Sequence, residues 1–334
     1  MIRRRRFIVI FLFDKRFRLF LLSVLLITLT TIATFRTSQN SKNKRTKPTD
    51  NIPTKKKHDD CPPFGCPIYP QDWMDDKVQE AISAILKGPN DDEKNSRDMA
   101  ALTRTSNRKS EINQDRGVII SPFRTTANDD DDHKDDFFVG IFDGHSDLGD
   151  LVAEYAVTEV PTRLASKILK SGRKNAATAN VVDDETIIRI LKETFIEVDA
   201  TTPNSIQGGC TGSIIYRRAS KLYVANTGDS RSFVASFRKS TGVTDVRYVT
   251  RADKAHLPEE KRRIEAAGGN VHIPPGHPAL SRVVVFDTAK RESVGLAMSR
   301  SIGDFDHGSF GVIAEPLVDV LDIDELLGRG RGGG

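Results

Sequence analysis

The pattern of apolar and polar positions divides the last two thirds of the chain into short strands and two long amphipathic helices. Val118–Ile120, Phe137–Phe142, Ser213–Tyr216, Leu222–Ala225, Ser232–Phe237 and Arg282–Phe286 are short apolar or alternating runs, which predict strands. Leu148–Lys170 and Thr186–Val198 repeat with a helical period. In the second, Ile187, Ile188, Leu191, Phe195 and Val198 form one broad core-facing stripe. Pro258–Ala267 reads as a short helix, with Pro258 near its start and Gly268-Gly269 past its end. Residues 75–87 carry Val78, Ile82, Ile85 and Leu86 at helical spacing, closed by Gly88. Strands come in runs around two helices, so the pattern predicts a layered α+β domain rather than alternating βαβ units.

The first third of the chain has a different texture. Leu19–Phe35 is an uncharged, mostly apolar run, at the short end for a membrane span. Phe7–Phe13 is also apolar, but Asp14, Lys15, Arg16 and Arg18 separate the two runs. The basic n-region and missing small-x-small site favour a signal anchor over a cleaved signal peptide or an organellar presequence. Membrane attachment through this N-terminal helix is therefore expected, with its orientation open because basic residues flank both sides. Residues 36–74 read as a polar, Lys-rich tether. The expected organisation is thus an anchor over 1–35, a linker over 36–74, a catalytic-type domain over 75–324 and a Gly/Arg tail over 325–334.

Charge and cysteines narrow the picture further. The chain has 334 residues and a formal net charge of +4. The excess sits at the N-terminus, and no aromatic residues interleave with a basic patch in the body, so nucleic acid is not an expected partner. The acidic run Asp129–Asp136 lacks a Gly hinge and calcium-loop spacing and reads as a solvated hairpin tip. Cys61 and Cys66 bracket a Pro-Pro-Phe-Gly segment as either a small disulfide loop or two thiols, and Cys210 reads as a small core residue.

Four acidic landmarks stand beside strands. Asp115 ends Asn113-Gln114-Asp115, and Asp143 opens the loop expected after strand 137–142, in Asp143-Gly144-His145. Asp229 lies in the turn Gly228-Asp229-Ser230, and Asp304 closes Ser301-Ile302-Gly303-Asp304. A carboxylate on a rigid strand end can hold a hard cation, and the intervening Gly144 lets backbone come close to what binds. Ser146 and Asp147 follow as candidate caps for the next helix.

These segments and their order resemble the metal-dependent protein phosphatases of the PPM type, the protein phosphatase 2C family. The matching blocks are NQD at 113–115, FDGH at 142–145, GGCTGS at 208–213 and LYVANTGDSR at 222–231. TRADKAHLPEEKRRIEAAGGNV at 250–271, GLAMSRSIGDF at 295–305 and GVIAEPLVDV at 311–320 complete the series. The resemblance implies two antiparallel β-sheets packed as a sandwich flanked by helices, a four-layer αββα arrangement. It implies hydrolysis of phosphoserine and phosphothreonine in a phosphorylated protein substrate by a monomer. It also implies two Mg²⁺ or Mn²⁺ ions, with Asp143 bridging them, the Gly144 carbonyl as a further ligand and Asp115 on the second-metal side. His145 would be the general acid, and Asp229 matches a position that supports a weaker third metal. Lys254 and His256 fall in the flap that shapes substrate access, while Thr211, Arg231, Arg300 and Asp304 match supporting positions.

The sequence departs from the family in two places. The Arg that often precedes the NQD-like block is replaced by Ser110 and Glu111, with Arg108 and Lys109 just upstream. After Asp319–Leu321 the family continues into an Asp-Gly-x-Trp-Asp strand and later an Asp-Asn pair, which hold the first metal. This chain reads DIDELLGRGRGGG there, and Asp322 and Asp324 do not match those ligands. The resemblance therefore implies a C-terminally truncated phosphatase domain, incomplete in one sheet. The alternative is a catalytically impaired, phosphatase-like binding module.

Overall fold

The structure is a computed structural model that describes residues 6–12, 67–68, 113–123, 125, 135–174, 182–203, 206–238, 243–287 and 291–328. The apolar run Leu19–Phe35, the helix expected over 75–87, Cys61 and Cys66 lie outside the described residues. No described helix is long and apolar enough to cross a membrane.

An eight-stranded sheet forms the centre. It contains β2 (Pro67–Ile68), β3 (Asp115–Ile120), β4 (Phe137–His145), β5 (Gly209–Cys210), β6 (Gly212–Arg218), β7 (Lys221–Thr227), β13 (Ile302–Gly303) and β14 (Leu317–Asp322). β4 is the hub. One edge pairs with β3, and the other pairs first with β6 and then, at its far end, with β5. All three pairings are antiparallel, as the layered α+β reading requires.

Two helices cover one face of this sheet: α1 (Gly149–Lys174) and α2 (Asp184–Thr201). α1 buries Val152, Ala153, Ala156, Val157, Val160, Leu164 and Ile168 along one stripe. α2 starts at an Asp183 cap whose carboxylate accepts the Thr186 N–H at 2.7 Å. Its buried stripe is Ile187, Ile190, Leu191, Thr194, Phe195 and Val198, with the expected Ile188 only half-buried. Both stripes close on Phe138, Phe142 and Ile214 of the sheet in one core.

A second sheet has the order β1 (Arg6–Leu12), β8 (Arg231–Arg238), β9 (Val243–Val249). Val234 of β8 packs with Ile215, Leu222 and Val224 of the first sheet, with Phe137 and Tyr248 against them. A third, smaller sheet of β10 (Asn270–His272), β11 (Arg282–Asp287) and β12 (Glu292–Leu296) follows α3 (Pro258–Ala266). Ile264, Val283, Leu296, Met298 and Val312 form its own core.

β4 runs three residues further than its apolar pattern predicts, so Asp143-Gly144-His145 belongs to the strand rather than to the loop after it. The cause is backbone pairing: β5 supplies ladder partners for Gly144 and His145 after β6 has ended. The acidic run also differs from expectation at its last residue. Asp136 is fully buried, and its carboxylate accepts the Ala219 N–H at 2.8 Å, capping the turn between β6 and β7. Asp322 likewise accepts the N–H groups of Asp324 and Glu325 at 2.8 and 3.2 Å, a local helix cap.

Candidate active site

Strand geometry sets the site. Side chains alternate along β4, so residues 137, 139, 141, 143 and 145 share a face. Phe137 on that face packs into the apolar layer between the two sheets. Asp143 and His145 therefore sit on the same inter-sheet face, at the end of the strand. Asp115 stands directly opposite Asp143 in the β3–β4 register, which brings two carboxylates together across the ladder.

The backbone beneath them is tightly held. The Thr211 N–H donates to the Asp143 carbonyl at 3.0 Å, and the Asp143 N–H donates to Thr211 Oγ1 at 3.1 Å. Ser230 backs Thr211 through a 2.7 Å hydroxyl contact. On the other side Arg116 grips the strand start, donating from Nη1 to the carbonyls of Asn113 and Asp115 at 2.7 and 3.0 Å. Glu154 of α1 anchors that guanidinium at 2.5 Å. Gly144 is dictated by close approach: a Cβ there would lie 2.5 Å from the Gly149 carbonyl oxygen and 2.6 Å from that of Gln114.

Electrostatically the strand end is frustrated. Burial, reinforced by Asp115 and its hydrogen bond to the Asp143 carboxyl, pushes Asp143 from 3.8 up to about 7. Asp229 adds to that field from the β7–β8 turn. Its own carboxylate meets the Lys254 ammonium at 2.6 Å, with both side chains mostly buried. Lys254, expected near substrate, thus faces Asp229, and His256 Nδ1 contacts Ser281 Oγ at 3.1 Å. Asp253 is fully buried and holds the turn, accepting the Gly228 N–H at 3.1 Å while its own N–H donates to the Gly228 carbonyl.

His145 Nε2 lies 2.6 Å from Asp304 Oδ2. Burial disfavours the charged ring, but the Asp304 carboxylate outweighs it and raises the His145 pKa. The ring's Nδ1 is buried without a hydrogen-bond partner, an opening that an oxygen of a bound molecule would satisfy.

The structure thus gathers Asp115, Asp143, Gly144 and His145 at one strand end, with Asp229 engaged by Lys254 beside them. Among the described residues no three side chains of the His, Cys, Asp and Glu types are grouped to hold a metal. Two oxygen-donor carboxylates still suit Mg²⁺, which commonly takes one or two carboxylates and keeps several waters. The raised Asp143 carboxyl is consistent with that role, because a cation would relieve the repulsion between the pair. Arg108 and Lys109 lie outside the described residues. Sequence reasoning left Arg116 unnoticed and gave Thr211 only a supporting place. Their signal was adjacency: Arg116 follows Asp115 directly, and Thr211 follows the Cys210 that pairs with Gly144.

Paired carboxylates and an imidazole thus stand together at the Asp143-Gly144-His145 end of β4, beside the layer between two antiparallel sheets. The chain belongs to the protein phosphatase 2C family, whose model matches residues 102–326. A similar rice (Oryza sativa subsp. japonica) protein, "Probable protein phosphatase 2C 64", is 32% identical over 225 residues, spanning 66% of this chain and 49% of that one. "Probable protein phosphatase 2C 1" of Arabidopsis thaliana is 29% identical over 230 residues, 61% of this chain and 47% of that protein. The chain spans about half the length of these curated relatives. The fold matches a solved serine-threonine phosphatase 2C from Toxoplasma gondii with a TM-score of 0.51 at 20% identity, over 64% of this chain and 70% of that one.

Proposed function

We propose that this chain is a metal-dependent protein serine/threonine phosphatase acting on phosphoserine and phosphothreonine in protein substrates. The observation that carries the reading is the hydrogen-bonded pair Asp115 and Asp143, with an imidazole two residues further along the same strand face. The Asp115 and Asp143 carboxylates, with the Gly144 carbonyl beside them, would hold a Mg²⁺ or Mn²⁺ ion. When bound, such an ion supplies charge for the phosphoryl oxygens and a water of lowered pKa.

The chain's own residues supply position and a proton. Thr211 and Arg116 fix the backbone that carries the two carboxylates, so their separation is set by the ladder rather than by flexible side chains. His145 has its pKa raised against burial, mainly by the Asp304 carboxylate, which favours a proton on its ring. It donates that proton to the serine or threonine oxygen as the phosphorus–oxygen bond breaks, because an alkoxide is a poor leaving group. Asp229 stays with Lys254, which limits the negative charge that a phosphate would meet.

Release of inorganic phosphate from a phosphothreonine peptide tests the reading. The purified chain should release phosphate with Mn²⁺ and stop when the metal is chelated. Equal release with and without chelator, or none at all, would overturn it.

A further inference from the structure

We propose that Asp304 is a positioning residue for His145, so that the proton donor is a two-residue unit joining β4 to the segment after β13. The inference rests on the phosphatase reading for what the unit does. Its geometry stands on the structure alone.

Three neighbouring strands make the contact. In the ladders, His145 pairs with Gly209, and Gly209 pairs in turn with Gly303. Asp304 follows Gly303, so its side chain must cross the Gly209 position to reach the ring. A Cβ on Gly209 would run into the Asp304 carboxyl group. Glycine between the two partners is what lets an imidazole and a carboxylate 159 residues apart in sequence meet at 2.6 Å.

The Asp304 backbone is committed to this contact. It adopts a left-handed conformation, φ 50° and ψ 43°, which a non-glycine residue holds only under surrounding constraint. Its N–H donates to the Gly208 carbonyl at 2.9 Å. The preceding Gly303 N–H donates to Asp199 Oδ1 at 2.7 Å, tying the segment to α2. Asp304 also stands at the head of the short helix Phe305–Gly308, where an Asp ordinarily caps the first turn. Here it makes no side-chain cap hydrogen bond. The carboxylate is turned to the imidazole instead, and it is only 5% exposed.

A carboxylate on Nε2 fixes which nitrogen carries hydrogen and how the ring is aimed. Loss of that restraint should matter where a proton is needed and matter less where it is not. Asp304→Asn keeps the shape and removes the charge. With Mn²⁺, its rate on a phosphothreonine peptide should fall about tenfold or more beyond its rate on 4-nitrophenyl phosphate, whose aryloxide leaves without a proton. His145→Gln should show the same split, and the double variant should be no slower than His145→Gln. An equal loss on both substrates, or multiplying losses in the double variant, would overturn the proposal.

Nitrogen-15 spectra of histidine-labelled protein separate this idea from the phosphatase reading, because they require no turnover. His145, assigned by its disappearance in His145→Gln, should show a protonated Nε2 whose resonance moves in Asp304→Asn. A bare Nε2 in the wild-type spectrum overturns the proposal even if Asp304→Asn fails to fold. Absence of turnover in the wild type, with the expected spectrum, overturns the phosphatase reading and leaves the positioning geometry standing.

Discussion

Replacing Asp143 by Asn should make the metal-free protein more stable while removing a ligand of the proposed cation site. Burial and Asp115 raise the Asp143 carboxyl from 3.8 to about 7, so the ionised form is disfavoured in the folded state. A raised carboxyl pKa means the native state binds more protons than the unfolded chain across that interval. Stability therefore falls as pH rises from about 4 to 7, and the deficit is complete above 7. At about 1.4 kcal/mol per pH unit the ceiling is roughly 4 kcal/mol. Asp115 and Asp143 share the effect as a coupled pair, so we expect Asn to recover about 1–3 kcal/mol at pH 8. Urea unfolding in the presence of a chelator at pH 5 and pH 8 measures it. The variant should gain stability at pH 8 and less than half as much at pH 5. An Asn variant less stable than wild type at pH 8 would refute the account of a strained carboxylate pair.

Glu260 should behave in the opposite sense. Burial opposes its ionisation, yet hydrogen bonds from Arg263, Arg300 and Ser299 outweigh this and hold it at about 2. Glu260→Ala would leave the mostly buried Arg300 without its carboxylate partner, and should cost about 3–5 kcal/mol in urea unfolding at pH 7. A depressed carboxyl pKa gives stability that is full above its ordinary 4.5 and is lost as pH falls toward 2. Wild type and Glu260→Ala should therefore converge in stability across that acid range, and parallel curves would count against the reading.

Much of this arrangement is legible in the sequence because it rests on local patterns. The apolar run of β4, the amphipathic stripe of α2 and the Pro258 start of α3 each follow from residue spacing. The ordered motifs located Asp115, Asp143, Gly144, His145 and Asp229. What stayed hidden depends on partners distant in the chain. The extension of β4 through His145 needs β5, a two-residue strand with almost no pattern of its own. Asp136 looks like part of a solvated acidic run until the β6–β7 turn closes over it. The charge of Lys254 looks available for substrate until the Gly228 turn brings Asp229 against it. The Asp304–His145 contact requires three strands to be in register, with glycine in the middle.

In the proposed phosphatase, the Asp115–Asp143 strand end would hold a divalent cation for phosphate-ester hydrolysis. Titration of the full chain with Mn²⁺, reading free ion by electron paramagnetic resonance, measures this. Saturable binding in wild type that is lost in Asp143→Asn is the predicted result. Binding of equal strength in Asp143→Asn, or no saturable binding in either, would contradict it.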